Sequence, residues 1–123
     1  MVRTLACRSL RALGYTVLEV ANGNQALRAI MERTQPIHLV VSDVVMPEMG
    51  GRELGQRMSL VVPGLPVLYM SGYTGEDVVR RGLLEAGSPF LQKPFSTEAL
   101  GQKVREMLDA LAASHPPTAP ADA

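Results

Sequence analysis

The stretch HLVVSDVVMP, residues 38–47, determines how the rest of this chain is interpreted. It is a short apolar run rich in valine, and it leads into a Met-Pro turn and a Gly-Gly pair at residues 50–51. Such a run predicts a strand that is buried on both faces of a parallel sheet. Open parallel sheets bind ligands outside the carboxyl ends of their strands, so Asp43 is a candidate site residue.

Two later apolar runs end in polar residues in the same way. The run VLYMS, residues 67–71, ends at Ser71, and the run FLQ, residues 90–92, is followed directly by Lys93. Because the carboxyl ends of parallel strands meet at one edge of a sheet, the three ends predict a shared pocket. That pocket would hold the carboxylate of Asp43, a hydroxyl and an ammonium group.

Helical spacing of apolar residues alternates with short apolar runs along the whole chain. Helices are predicted around residues 2–13, 26–31, 54–58, 76–84 and 96–111. Strands are predicted at residues 15–20, 38–43, 67–70 and 90–92. This alternation is typical of an α/β protein with a parallel sheet and right-handed crossover connections.

The length of 123 residues predicts a single domain with one core. We assign that domain to residues 1–113, because the apolar helical spacing ends there. Residues 114–123 contain three prolines among small residues, and this composition predicts a disordered tail.

Charge and hydropathy exclude several classes of partner. The chain carries 12 basic and 12 acidic residues, so it offers no electrostatic footprint for nucleic acid and no polybasic membrane patch. No apolar run reaches the roughly 20 residues that span a bilayer. Arg3, Arg8 and Arg11 interrupt any signal-peptide core, so we expect a cytoplasmic location.

Motifs for common enzyme classes are missing from the sequence. No G-x-x-x-x-G-K-[ST] loop is present and no G-x-G-x-x-G follows a strand, so nucleotide binding has no support. No nucleophile elbow is present either, and no cluster has the spacing of a zinc site. We therefore expect none of these enzyme activities, and an enzyme ranks last among the interpretations of this chain.

Taken in order, four motifs resemble those of the receiver domain of two-component response regulators. They are DVVMP at residues 43–47, MGG at 49–51, SG at 71–72 and KPF at 93–95. The resemblance runs from the first helix to Leu111 and implies the flavodoxin-like three-layer α/β/α receiver fold. The segments LYMSGY and FLQKPF are most similar to receivers at the C-terminal end of hybrid sensor histidine kinases.

The resemblance also implies a role for each candidate residue in a phosphorelay. Asp43 would be the phosphoacceptor, modified to an aspartyl phosphate by a histidine kinase or a histidine phosphotransfer protein. Ser71 would bond a phosphoryl oxygen, and Lys93 would pair with the phosphoryl charge. Phe90 stands where the family has its aromatic switch residue, on the face made by the fourth helix, fifth strand and fifth helix. Pro94 would follow a cis peptide bond.

The chain departs from the family at its start. In the family, the first strand lies at the centre of a five-stranded sheet ordered 2-1-3-4-5. This chain begins with MVR at residues 1–3, which matches the start of the family's first helix, and residues 15–20 match its second strand. We therefore expect the central strand to be missing. The sheet then closes without it, takes a strand from a partner chain, or is loosened.

The departure also concerns the metal. In the family, an acidic pair after the first strand binds Mg²⁺ together with the phosphoacceptor, and this pair is missing too. Asp43 and the main-chain carbonyl of Val45 remain as ligands, with Glu48 as a candidate substitute. Since Mg²⁺ prefers several oxygen ligands in octahedral geometry, we expect weak or absent metal binding and weak or absent phosphorylation.

A second hypothesis therefore stands beside the phosphoacceptor one. The chain would be a phosphorylation-independent module that docks partners or forms a homodimer through an exposed sheet edge. Plainer interpretations also exist for single residues. Asp43 would merely end a strand, Lys93 would be a surface lysine, and Phe90 would be an ordinary core aromatic.

Overall fold

The computed structural model describes residues 2–34, 36–46 and 48–114. Within these residues it contains five helices and three strands: α1 (Val2–Ala12), α2 (Gly23–Glu32), β1 (Val40–Asp43), α3 (Gly51–Val61), β2 (Val67–Ser71), α4 (Gly75–Arg80), β3 (Phe90–Gln92) and α5 (Thr97–Ser114). Two predictions, the turn at Pro47 and the tail beyond residue 114, lie outside the described residues. None of the described helices is long and apolar enough to cross a membrane.

The three strands form one parallel sheet in the order β1-β2-β3. In this sheet Asp43 is the register partner of Met70, and Ser71 is the register partner of Gln92. The connections between the strands contain α3 and α4, which is the arrangement expected for parallel strands. The predicted parallel α/β fold is confirmed.

The core lies on the two faces of this sheet. On one face, α1 and α5 pack on β2 through Ala6, Leu10, Leu68, Leu100 and Val104, which we call the α1/α5 cluster. On the other face, α2 and α3 pack together through Ala26, Ile30, Met49, Leu54 and Met58, which we call the α2/α3 cluster. A third group near α4 contains Val44, Tyr69, Val78 and Leu84. Successive residues of β2 alternate between the two faces, as a pleated strand requires.

Residues 15–20 do not form the predicted strand. Tyr15 and Val17 are half-buried against the α1/α5 cluster, and Val20 packs on the α2/α3 cluster. The segment thus passes from one face of the sheet to the other without joining the ladder. Its apolar pattern reflects packing against helices, and the strand prediction is wrong because no neighbouring strand is in place to pair with it.

Side-chain caps set where three of the helices begin. The N–H of Gln25 donates to Asn22 Oδ1 at 2.9 Å at the start of α2, and the N–H of Ala99 donates to Ser96 Oγ at 3.0 Å at the start of α5. Thr74 caps α4 in the same manner. These contacts satisfy main-chain donors that the first helical turn leaves without partners.

The fourth helix is shorter than predicted. It was expected over residues 76–84, whereas α4 covers Gly75–Arg80. Gly82 follows with a φ of 73°, a left-handed conformation that ends a helix. Leu83 and Leu84 then turn back to pack beside Val78, so their apolar character belongs to the core and not to a helical stripe.

Candidate functional site

The three predicted site residues lie at the same edge of the sheet. Asp43 ends β1, Ser71 ends β2, and Lys93 directly follows β3. The main-chain N–H of Lys93 donates to the carbonyl of Ser71 at 2.8 Å, which extends the parallel ladder by one residue. The carboxyl ends of the three strands therefore present a carboxylate, a hydroxyl and an ammonium group side by side.

Asp43 and Lys93 form the central ion pair of this edge. Lys93 Nζ lies 2.6 Å from Asp43 Oδ1, and the two side chains are 26% and 39% exposed, respectively. The Oδ1 atom itself is buried, and no hydrogen bond of good angular geometry reaches it from the described residues. The Lys93 ammonium is therefore the group that compensates this carboxylate charge. The pair is partly exposed at this edge of the sheet, with one carboxylate oxygen shielded from water.

Ser71 is buried on the middle strand of the three. Its Oγ accepts a hydrogen bond from the N–H of Tyr73 at 3.0 Å, so the hydroxyl is held by the following turn. A serine hydroxyl has one proton to donate besides its acceptor lone pairs. Ser71 can thus donate to an anion at the edge while keeping this contact. No hydrogen bond joins its side chain to Asp43 in the described structure.

The loop after β1 brings the start of α3 against the phosphoacceptor candidate. The N–H of Gly51 donates to the carbonyl of Val44 at 2.8 Å. A Cβ atom at Gly51 would stand 2.5 Å from the main-chain oxygen of Asp43, which is closer than real Cβ contacts. The second glycine of the Gly-Gly pair, Gly51, therefore has a steric cause, because only glycine allows α3 to begin this close to β1.

Phe90 and Pro94 flank Lys93. Phe90 is half-buried on β3 and packs against the group of Val44, Tyr69, Val78 and Leu84. Its ring also faces Gly75 at the start of α4, where a Cβ would lie 3.5 Å from Phe90 Cδ2. Phe90 thus links the site strand to α4, while its role as a switch stays a prediction. The Lys93–Pro94 peptide bond is cis.

One contributor to the site, Tyr69, was missed by the sequence analysis. Its ring is buried beneath α3, 3.2 Å from the place where a Cβ at Gly51 would be, and a Cβ at Gly55 would overlap its hydroxyl. Burial, together with the charge of Glu85, raises the pKa of the Tyr69 phenol above its ordinary value. The sequence feature that could have identified this contact is a pair of glycines four residues apart on a predicted helix. Such a pair leaves room for an aromatic ring of a neighbouring strand.

The described residues do not fit a Mg²⁺ site. No group of three or more acidic, histidine or cysteine side chains in the described part of the chain could hold a metal ion. Asp43 supplies one carboxylate, with Oδ1 paired to Lys93, and the side chains of Val45 and Glu48 are exposed in the loop that follows. A single carboxylate that is already paired with an ammonium group leaves Mg²⁺ few anionic ligands to hold it against its hydration shell.

Comparison with known proteins agrees with this geometry. The profile of the response regulator receiver domain matches residues 1–105. The sensor kinase CckA of Brucella abortus is 40% identical over 108 residues, which are 88% of this chain and 11% of that protein. The response regulator receiver protein CpdR of the same organism is 29% identical over 107 residues, or 87% of this chain and 88% of that protein.

Solved structures give the same result. The crystal structure of the receiver domain of the hybrid histidine kinase CckA superposes with a TM-score of 0.72 at 37% identity, over 87% of this chain and 89% of that one. A response regulator from Chloroflexus aurantiacus superposes with a TM-score of 0.76 at 28% identity, over 88% of both chains.

A parallel sheet that presents an aspartate, a serine and a lysine at its carboxyl edge defines a receiver-type signalling domain of flavodoxin-like fold. The chain belongs to the response regulator receiver domain family of two-component signalling. Its similarity to the receivers of hybrid histidine kinases was predicted and is confirmed. Receiver domains generally bind Mg²⁺, so the poor fit of the described ligands is a point of difference.

Proposed function

We propose that this receiver domain is a phosphoacceptor that takes a phosphoryl group on Asp43 from a phosphohistidine. The donor is a histidine kinase or a histidine phosphotransfer protein. The observation that carries the proposal is the 2.6 Å pair of Lys93 Nζ and Asp43 Oδ1 at the carboxyl edge of the sheet. Ser71 on the neighbouring strand end supports it, because the three groups match the needs of an acyl phosphate.

The chemistry requires one nucleophile and a compensating charge. A carboxylate oxygen of Asp43 attacks the phosphorus, the P–N bond to the donor imidazole breaks, and the leaving nitrogen takes up a proton. The product is an acyl phosphate, whose phosphoryl oxygens carry the charge. The Lys93 ammonium compensates that charge, and the Ser71 hydroxyl donates to a phosphoryl oxygen. Positioning and charge compensation account for most of the catalysis of such transfers.

The signal would leave the site through the face formed by α4, β3 and α5. A new anion beside Ser71 would alter the hydrogen bonding of the Ser71 hydroxyl. The same hydroxyl accepts a hydrogen bond from the N–H of Tyr73 and so holds the following turn. Phe90 belongs to β3, and its ring packs against α4. A change in this turn would therefore reach α4 through the packed ring. Such a change is a shift between two conformations that the phosphoryl charge favours unequally.

We further propose that the chain is the C-terminal receiver of a hybrid sensor histidine kinase and works in the cytoplasm. The similarity to the CckA sensor kinase supports this proposal, although the chain spans only 11% of that relative's length. The domain itself would then carry no enzymatic activity. Its next partner would be a histidine phosphotransfer protein, and the balanced charge gives no support for nucleic acid or a membrane surface.

A second candidate function is a docking or dimerising module that works without phosphorylation. Two observations favour it. The described donor set does not fit Mg²⁺, and one edge of β1 has no neighbouring strand in the described part of the chain. On this basis we expect Asp43 of this chain to be labelled slowly.

Mass spectrometry of the intact chain after treatment with acetyl phosphate and Mg²⁺ tests both candidates. We expect a phosphoryl adduct that accumulates slowly on Asp43, disappears in Asp43→Asn and persists in the matched variant Asp109→Asn on the exposed surface of α5. An adduct that persists in Asp43→Asn would contradict the phosphoacceptor proposal. Light scattering on the same samples measures dimerisation, and a dimer without any adduct would support the second candidate.

A further inference from the structure

The side chain of Arg52 bridges the first turn of α3 and the loop that follows α4. Arg52 Nη1 donates to the main-chain carbonyl of Gly82 at 3.1 Å, and Arg52 Nη2 lies 3.6 Å from Glu85 Oε1. Gly82 is the residue whose left-handed conformation ends α4. The contact therefore holds the chain at the point where α4 stops, and it joins residues that are 30 positions apart in the sequence.

The residue before Arg52 lies against the proposed phosphoacceptor. The N–H of Gly51 donates to the carbonyl of Val44, and a Cβ at Gly51 would stand 2.5 Å from the Asp43 carbonyl oxygen. The main chain at Asp43 therefore cannot move toward α3 without displacing the first helical turn. Because Arg52 belongs to that turn, a displacement at Asp43 is carried to Gly82 by the guanidinium group.

Beyond the bridge, an open groove separates α3 from the loop after α4. The groove has a volume of about 770 Å³, and its lining includes Val44, Gln56, Leu60 and Leu83. Leu60 is 85% exposed, so apolar packing does not close the far end of the groove. The hydrogen bond of Arg52 to the Gly82 carbonyl is thus a contact that sets the distance across the groove.

We propose that Arg52 is a positioning residue that couples changes at Asp43 to the position of the C-terminal end of α4. An arginine suits this role because its planar guanidinium holds a carbonyl and a carboxylate with two donors of fixed geometry. A lysine presents its donors on one flexible ammonium group and holds two acceptors less firmly. The bridge is a second connection beside the one through Ser71 and Phe90, and its use in signalling rests on the proposed function.

NMR spectra of the full chain test the coupling without any phosphoryl group. Asp43→Asn removes the carboxylate charge, and we expect it to shift the amide signals of Gly82 and Leu83. In an Arg52→Gln background the side chain is shorter and uncharged and does not span the groove. The same change at Asp43 should then shift the two signals less, by about threefold or more.

Arg57→Gln is the matched control for the loss of one arginine from α3. The Arg57 side chain is 54% exposed and that of Arg52 is 44% exposed, but Arg57 pairs at 2.7 Å with Glu53 of the same helix. The response of Gly82 to Asp43→Asn should therefore persist in Arg57→Gln. Arg52→Lys keeps the positive charge and should restore part of the response, which a mere loss of stability would not explain.

Three results would overturn the proposal. They are an undiminished response in Arg52→Gln, an equal loss in Arg57→Gln, and no response of Gly82 to Asp43→Asn in the otherwise unaltered chain. The phosphoacceptor proposal fails by a different measurement, the mass of the chain after treatment with acetyl phosphate. If no adduct forms on Asp43 and the response still depends on Arg52, the coupling is supported and the phosphoacceptor role is not.

Discussion

Gly51 lies so close to Asp43 that a single added carbon would stand 2.5 Å from the Asp43 carbonyl oxygen. The first residue of α3 therefore rests directly on the main chain of the proposed phosphoacceptor. The Tyr69 ring, on the neighbouring strand, packs against the same place. Its nearest atoms would lie 3.2 Å from the added carbon. The position of Asp43 thus depends on three elements, β1, β2 and α3, packed without space for a side chain.

The first prediction concerns this contact. Gly51→Ala should lower the free energy of unfolding by about 1–3 kcal/mol, because the methyl group forces α3 away from β1. Urea denaturation measures the change. The control is Gly72→Ala, where the added carbon meets no atom within 4 Å and the cost should be much smaller. Equal losses in the two variants would contradict the close-approach explanation.

The second prediction concerns the ion pair of Lys93 and Asp43. Lys93→Gln removes the charge that compensates a partly buried carboxylate, so both stability and labelling of Asp43 should fall. In a double-mutant cycle with Asp43→Asn, the coupling should be about 0.5–1 kcal/mol, because both side chains are partly exposed and water screens the pair. A coupling of zero would show that the contact contributes nothing to stability.

The third prediction concerns alkaline pH. The pKa of Tyr69 in the folded chain is raised above the value of 10.0 that applies when it is unfolded, first by burial and then by the charge of Glu85. The folded state therefore keeps its proton at a pH where the unfolded state loses it. This contribution to stability is complete below about pH 10 and declines as the pH rises through the folded pKa.

Unfolding measured at increasing pH checks this expectation. Tyr69→Phe should flatten the decline in stability above pH 10, because the residue that titrates is gone. Tyr73→Phe, at a side chain that is 42% exposed, is the matched control for the loss of one tyrosine hydroxyl. An unaltered alkaline decline in Tyr69→Phe would contradict the assignment.

The fourth prediction separates acceptance of the phosphoryl group from the response to it. Ser71→Ala removes the hydroxyl that holds the N–H of Tyr73 and would bond a phosphoryl oxygen. Once Asp43 is labelled, amide shifts in α4 should be smaller in Ser71→Ala than in the unaltered chain, whereas Ser71→Thr should retain them. NMR spectra of labelled samples provide the measurement. Full α4 shifts in Ser71→Ala would exclude Ser71 from signal transmission.

Much of the architecture follows from local patterns. The apolar runs at residues 40–43, 67–71 and 90–92 are strands, because short valine-rich or aliphatic runs suit the interior of a parallel sheet. Once the strands are parallel, Asp43, Ser71 and Lys93 must share an edge, since each stands at the end of its run. Those inferences need only residue order and the geometry of parallel sheets.

Other features depend on which elements become neighbours in space. Residues 15–20 have a strand-like composition, yet pairing requires a second strand, and the segment packs on helices instead. The pattern of residues 76–84 suggests a helix, yet Gly82 ends it early and turns Leu84 into the core. The contact of Tyr69 with Gly51 and Gly55 joins a strand to a helix separated from it along the chain.

Residue order and side-chain chemistry were thus sufficient for the class of fold and for the three polar groups at its edge. The folded molecule alone established the 2.6 Å pairing of Lys93 with Asp43 and the packing of α3 on β1. The physical reason is the separation along the chain over which each kind of interaction acts. Propensity and periodicity act between residues a few positions apart, whereas ion pairing, close approach and strand pairing depend on distances that exist only after the chain has packed.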